Sequence, residues 1–283
     1  MNGMTIADKI DLSKIRHVLF DLDGTLYRGK RLFPWTAEAL ALLEERHIGF
    51  TYLTNNSSRS AADYLEKIRR LNLPGGPEHI WTSSLATLEY IKTYYPDAKR
   101  IYLLGTESLA AEFRAYGYTL LGEHETCRPD LLVAAFDTEL VYPRLCKAAW
   151  WAKEQVPFIA THPDKICPTD QETVLIDCGA ILDCIKSATG RSPDTVCGKP
   201  NESMIAGILA KYQLKPEETA MVGDRIYTDM EMAKRAGVVG VLVLSGEATG
   251  EDWEKSGRPC AIVADNALTF VRALVSAPAR GGQ

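Results

Sequence analysis

The chain has no CxxC pair and no Cys/His cluster; its seven cysteines (Cys127, Cys146, Cys167, Cys178, Cys184, Cys197 and Cys260) are odd in number and scattered. That spacing supports neither a disulfide framework nor a zinc site, and predicts free, buried thiols in a reducing cytoplasm. Long hydrophobic runs are also missing. The longest, Val238 to Leu244, is too short to span a bilayer. The segment from Met1 to Arg16 mixes Asp and Lys without an apolar core, so no signal peptide is expected. No sign of charge dominates: 32 Lys and Arg stand against 37 Asp and Glu, a net charge of −5. This balance argues against a nucleic-acid or anionic-membrane partner. There is no internal repeat, no low-complexity tract and no Pro/Ser-rich linker.

What is present is alternation. At 283 residues the chain exceeds the usual single-domain size and predicts two domains, or one with a large insertion. Strand-length apolar runs at Val18–Asp21, Ile48–Leu53, Ile80–Thr82, Thr219–Val222 and Val238–Leu244 alternate with helical patterns at Thr36–Arg46, Ser60–Leu71, Glu202–Tyr212 and Thr228–Ala236. The middle repeats this grammar, with strands at Arg100–Leu104, Leu131–Phe136 and Val156–Ala160 and helices near Ser108–Tyr116 and Tyr142–Lys153. The expected fold is α/β, a doubly wound and mostly parallel sheet with a smaller α/β domain inserted. The boundaries drawn are 1–83 and 187–283 for a discontinuous core, and 84–186 for the insertion.

The richest stretch is His17-Val18-Leu19-Phe20-Asp21-Leu22-Asp23-Gly24-Thr25-Leu26. An apolar strand delivers two aspartates, two residues apart and so on one face, into a glycine turn. Neighbouring carboxylates repel unless a cation or a shared proton relieves them. Mg²⁺ favours such carboxylates together with phosphate oxygens, and one aspartate can then act as nucleophile while the other handles a proton. The plainer reading is an Asp-Gly turn.

Three further segments follow strands, where ligands sit in open parallel sheets. Thr54-Asn55-Asn56-Ser57-Ser58-Arg59 offers a hydroxyl and backbone N–H groups for phosphate oxygens, or an ordinary helix cap and loop. Gly198-Lys199-Pro200 places a lysine that could neutralise an aspartate and a bound phosphate, or a solvated charge. Val222-Gly223-Asp224-Arg225-Ile226-Tyr227-Thr228-Asp229 offers Asp224 as a second metal ligand, and Asp229 as an outer-shell ligand or a helix cap. The histidines His17, His47, His79, His124 and His162 show no metal-ligand spacing and read as surface or strand-edge residues, His162 being the exception to watch. Trp150-Trp151 reads as core or interface; an exposed pair would support a homodimer.

DLDGTL, TNNSSRS, CGKP and GDRIYTDM, in this order, resemble the four motifs of the haloacid dehalogenase superfamily of phosphohydrolases. The large insertion resembles the type-two cap of its NagD/AraL and nitrophenylphosphatase branch. Thr161-His162-Pro163-Asp164 followed by Pro168 is similar to that branch's TNPD segment, with His162 for the usual Asn. Asp177-Cys178-Gly179 stands where a PGTG-like lead-in is usual, and Gly179-Ala180-Ile181-Leu182 follows as the Gly-Ala stretch.

The resemblance implies a Mg²⁺-dependent phosphatase. Asp21 would be the nucleophile and form an aspartyl phosphate, and Asp23 would act as acid and base. Asp21, Asp224 and the Asp23 carbonyl would hold Mg²⁺. Thr54, the Asn55 N–H and Lys199 would hold phosphate, with Asp229 orienting metal waters or Lys199. The cap would recognise the leaving group, with Lys165, Ile166 and Cys167 as candidate contacts and Asn56 and Arg59 approaching from the core; Arg225 and Tyr227 are weaker candidates. The substrate expected is a small phosphorylated metabolite such as a sugar or polyol phosphate, with nucleoside monophosphates and pyridoxal phosphate open. The alternatives are a phosphotransferase of the same fold, a non-catalytic phosphate-ligand binding protein and a phosphoacceptor signalling module.

Overall fold

The computed structural model describes residues 3–6, 10–29, 31–169, 171–257, 260 and 262–278. The chain packs as two compact units. The first comprises the chain through Leu53, Leu65–Trp81 and the chain from Ile205; the second comprises Thr54–Tyr64 and Thr82–Met204.

Among the described residues, the first unit is built on a seven-stranded sheet in the order Met4–Ile6, Ile262–Ala264, Val239–Val243, Thr219–Gly223, His17–Asp21, Gly49–Thr54, Ile80–Thr82. The Met4–Ile6 edge strand is antiparallel, and the next four pairings are parallel. His17–Asp21 is central, and its Val18, Leu19 and Phe20 are wholly buried. A strand covered on both faces must be apolar throughout, which is why this run shows no alternation. From it the chain builds outward through Gly49–Thr54 on one side and returns on the other through Thr219–Gly223 and Val239–Val243. The strand order therefore reverses between His17–Asp21 and Thr219–Gly223, the place where open α/β sheets bind ligands.

The second unit has its own parallel sheet, in the order Thr195–Val196, Phe158–Ala160, Leu131–Ala134, Arg100–Leu104, Thr119–Leu120. Strand residues alternate between two apolar cores. Tyr102, Leu104, Leu132, Ala134 and Phe158 pack with Trp151 and Ile181. Ile101, Leu103, Leu131, Val133 and Ile159 pack with Leu88, Ile91, Leu109 and Phe113. Helices Tyr142–Lys153 and Cys178–Thr189 thus cover one face, and Ser83–Tyr94 and Glu107–Ala115 the other. A two-stranded antiparallel ribbon, Ile166–Cys167 with Leu175–Ile176, belongs to the same unit.

Several expectations change. His17 is no surface residue: it is 4% exposed, its Nε2 lies 2.8 Å from Thr51 Oγ1, and its ring stacks on Tyr212. All seven cysteines are free, but only Cys178 and Cys197 are buried, while Cys127, Cys146 and Cys184 are exposed. Helix faces turned to solvent carry the last two. Of the tryptophan pair, Trp151 is in the core and Trp150 is half exposed. The expected helix Thr228–Ala236 is a π turn over Ile226–Met230 followed by a helix at Glu231–Ala236. No helix among the described residues is long and apolar enough to cross a membrane.

Candidate active site

The carboxyl end of the central strand carries the first group of residues. Asp21 ends the strand, and Asp23 precedes Gly24, whose φ of +91° is a left-handed conformation that glycine adopts without strain. The Gly24 N–H donates to the Tyr27 carbonyl at 2.8 Å, closing the turn. The neighbouring strand runs parallel with Val222 opposite Phe20, and so delivers Asp224 at the same end. In the π turn, Met230 N–H donates to the Arg225 carbonyl. This wide turn carries Asp229 back, and its Oδ2 accepts from Arg225 N–H at 3.1 Å. Such turns occur frequently at functional sites. Asp21, Asp224 and Asp229 each offer an oxygen, all within 4.8 Å of one another. The Asp23 carboxyl lies outside this triad.

Asp224 is 3% exposed. Its Oδ2 accepts from Glu247 N–H at 2.7 Å, while its buried Oδ1 has no hydrogen-bond partner. Burial first, then the charges of Asp21 and Asp229, push its pKa up to about 8. Two glycines seat their backbones on this carboxylate: a Cβ on Gly24 or Gly246 would lie 2.2 or 1.9 Å from Asp224 Oδ2. Three clustered carboxylates and an orphaned buried oxygen fit a hard divalent cation with oxygen ligands. Arg225 ion-pairs with Glu247 at 3.0 Å. Burial opposes its charge, but Asp21, Tyr227, Asp229 and Glu247 raise its pKa. Burial also raises the pKa of Asp23, against the charges of Lys67, Arg225 and Arg28 and a Gly29 N–H bond.

The second unit holds the other group. Thr54 and Asn55 are buried, and Thr54 Oγ1 accepts from Asn56 N–H. Asn55 grips Lys199 by its main chain: Lys199 N–H donates to Asn55 Oδ1 at 2.8 Å, and Asn55 Nδ2 donates to the Lys199 carbonyl at 3.0 Å and to Asp164 Oδ2 at 3.1 Å. Lys199 is 3% exposed. Among the remaining candidates, Asn56 Nδ2 approaches Cys167 Sγ at 3.6 Å. Lys165 pairs with Asp183 at 2.6 Å, and Arg59 and Ile166 are exposed.

The profile of the haloacid dehalogenase-like hydrolases matches residues 18–119, and that of the HAD-hydrolase-like proteins matches residues 196–269. The acid sugar phosphatase of Staphylococcus epidermidis is 30% identical, over 85% of this chain and 91% of that protein. The chain belongs to the haloacid dehalogenase-like hydrolases. Within that family it is similar in structure to the 4-nitrophenylphosphatase of Thermotoga maritima, with a TM-score of 0.87 and 38% identity over 93% of this chain and 98% of that one. It is also similar to the glycerol phosphate phosphatase of Mycobacterium tuberculosis, a structure in complex with magnesium, with a TM-score of 0.84 and 26% identity over 97% and 83%. The chain is a haloacid dehalogenase-like phosphatase of the NagD and nitrophenylphosphatase branch.

Glu247 and Lys67 are not singled out by the sequence, while Asp164 and Asp177 stand in segments that are, but without any sign of their pairings. Glu247 holds both Asp224 and Arg225, and its place in the loop after the Val239–Val243 strand was a usable signal, since ligands bind where such strands end. Lys67 acts on Asp23 from a helix, and Asp164 and Asp177 act through pairings distant in sequence.

Proposed function

We propose that this phosphatase uses Mg²⁺ to hydrolyse the monoester of a small phosphorylated metabolite, a sugar or polyol phosphate in the first instance, through an aspartyl phosphate. The observation that carries this reading is the triad of Asp21, Asp224 and Asp229 with its unpartnered buried oxygen. Asp21, Asp224 and the backbone carbonyl of Asp23 would hold Mg²⁺, with Asp229 orienting its waters. When bound, Mg²⁺ offsets the repulsion among the carboxylates and the substrate's phosphate charge.

Asp21 attacks phosphorus as the bond from phosphorus to the leaving oxygen breaks. Asp23 gives its proton to that oxygen, so the alcohol departs neutral. The Asp23 carboxylate then takes a proton from water, whose oxygen attacks the phosphorus of the aspartyl phosphate, freeing Asp21 and inorganic phosphate. The raised pKa of Asp23 suits a group that must be protonated for the first step and recover its proton in the second. Thr54, the Asn55 N–H and Lys199 hold the equatorial oxygens, over which charge spreads in the transition state. Residues 84–186 serve as the cap, and Lys165, Ile166, Cys167, Asn56 and Arg59 meet the leaving group.

The S. epidermidis and M. tuberculosis relatives, by name an acid sugar phosphatase and a glycerol phosphate phosphatase, support the choice of substrate class. The test is phosphate release from a panel of phosphorylated metabolites with Mg²⁺, run beside Asp21→Asn. A sugar or polyol phosphate should stand well above the rest and fall to background in the variant. Release unaltered by Asp21→Asn, or none from any ester, would refute the reading.

A further inference from the structure

A buried polar chain in the second unit serves no role assigned so far. His162 is completely buried. Its Nε2 lies 2.8 Å from Asp177 Oδ1 and its Nδ1 2.9 Å from Thr161 Oγ1. Thr161 Oγ1 is 3.0 Å from Ser57 Oγ, which accepts from Phe136 N–H. Asp177 also caps the Cys178–Thr189 helix, accepting from Cys178 N–H at 2.6 Å. If Thr161 accepts from Ser57, its own proton goes to Nδ1, and neutral His162 presents Nε2–H to Asp177. If His162 is protonated, both ring nitrogens donate, and Nε2–H again meets Asp177. Burial alone would lower the His162 pKa, but the Asp177 bond and charge, aided by Asp164 and opposed by Lys199, raise it.

The turn that carries His162 is pinned at its far end too. Gly179 N–H donates to the Asp164 carbonyl at 2.7 Å, and Asp177 N–H to the Lys165 carbonyl at 3.0 Å. A Cβ on Gly179 would lie 2.1 Å from the Pro163 carbonyl oxygen. The opposite side of the turn faces Asn55 and Lys199. Asp164 Oδ2 takes the Asn55 amide. A Cβ on Gly198 would lie 2.6 Å from the Thr161 carbonyl oxygen and 2.7 Å from both His162 Cβ and Asn55 Oδ1. The main chain before Lys199 is thus wedged against the turn.

We propose that His162 is a positioning residue: its bond to Asp177 fixes the Thr161–Asp164 turn, which holds Asn55 and Lys199 in place to bind phosphate. The proposal rests on the assignment of Asn55 and Lys199 to phosphate made above. A ligand displaced by about 1 Å costs up to about a hundredfold in rate, so loosening this turn should register in phosphate binding.

The test compares KM and kcat for nitrophenyl phosphate, the inhibition constant of inorganic phosphate and Tm, all with Mg²⁺, in the full-length wild type and in variants. His162→Ala should raise KM and the phosphate inhibition constant about tenfold. His162→Gln, whose amide can still donate to Asp177, should restore most of the loss. Asp164→Ala removes the link to Asn55 and should give the same rise; if His162→Ala does not fold, an unmoved inhibition constant in Asp164→Ala still overturns the proposal. A lower Tm with the inhibition constant unmoved in His162→Ala and Asp164→Ala would show a merely structural role and overturn the proposal. Lys199→Ala is the control. If it leaves the inhibition constant unchanged, the phosphate assignment fails and takes the proposal with it. If it raises the constant while the other two variants do not, the positioning role alone fails.

Discussion

Replacing Asp224 by Asn should stabilise the metal-free protein while destroying its activity. The pKa of Asp224 is pushed from an ordinary 3.8 up to about 8 by burial and by Asp21 and Asp229. A carboxyl whose pKa is raised on folding contributes its full stability below its unfolded pKa, and loses it progressively as pH rises toward the folded value. At pH 7 the loss spans about three units, or about 4 kcal/mol at 1.36 kcal/mol per unit. Asn does not titrate, its Oδ1 can still accept from Glu247 N–H, and its amide can donate to the flanking carboxylates. Each kcal/mol realised moves Tm by about 2–4 °C. Thermal unfolding in chelator at pH 7 should therefore show Asp224→Asn several degrees above wild type. Added Mg²⁺, which stabilises the form that binds it, should raise the wild-type Tm and leave the variant's unchanged. A variant that melts lower in chelator, or still responds to Mg²⁺, would refute this view of the triad.

Three other outcomes follow from the same structure. His17, held at a pKa of about 4 by burial and by His79 and Lys211, resists protonation when folded but not when unfolded. About 3 kcal/mol should be lost as pH falls from 6.5 to 4, and urea unfolding of His17→Asn should show a flatter acid limb; an equal slope would contradict this. Gly246→Ala puts a methyl 1.9 Å from Asp224 Oδ2 and should cut activity at least about tenfold, with loss of the Mg²⁺ shift in Tm. In the native protein Cys127, Cys146 and Cys184 should react with a thiol reagent. Buried Cys178 and Cys197, whose thiols burial pushes up to about 12, should react only after unfolding, as mass spectrometry of labelled peptides would show.

What could be read from the sequence divides by range. The Arg100–Leu104 strand and the Tyr142–Lys153 helix appear with the bounds expected, because their apolar spacing is local and strong. The strand-end positions of Asp21 and Asp224 were readable for the same reason. The Ile166–Cys167 ribbon was not, since two-residue strands carry no periodicity. His17 was misread because its partners Thr51 and Tyr212 arrive from distant segments, and a polar residue opening a strand reads as an edge. Asp229 shows another limit: capping the turn and joining the triad use the same side chain, so spacing alone offered no choice. His162 and Asp177 each stand out singly as departures from the branch's pattern. Their bond across 15 residues appears only in three dimensions.

The most direct test of the account is to mix the enzyme with Mg²⁺ and an isotope-labelled phosphate monoester, quench with acid within a turnover and map the label by peptide mass. Label is expected on the peptide containing Asp21 and none in Asp21→Asn. Undiminished phosphate release without labelled Asp21, or with the label on another residue, would contradict it.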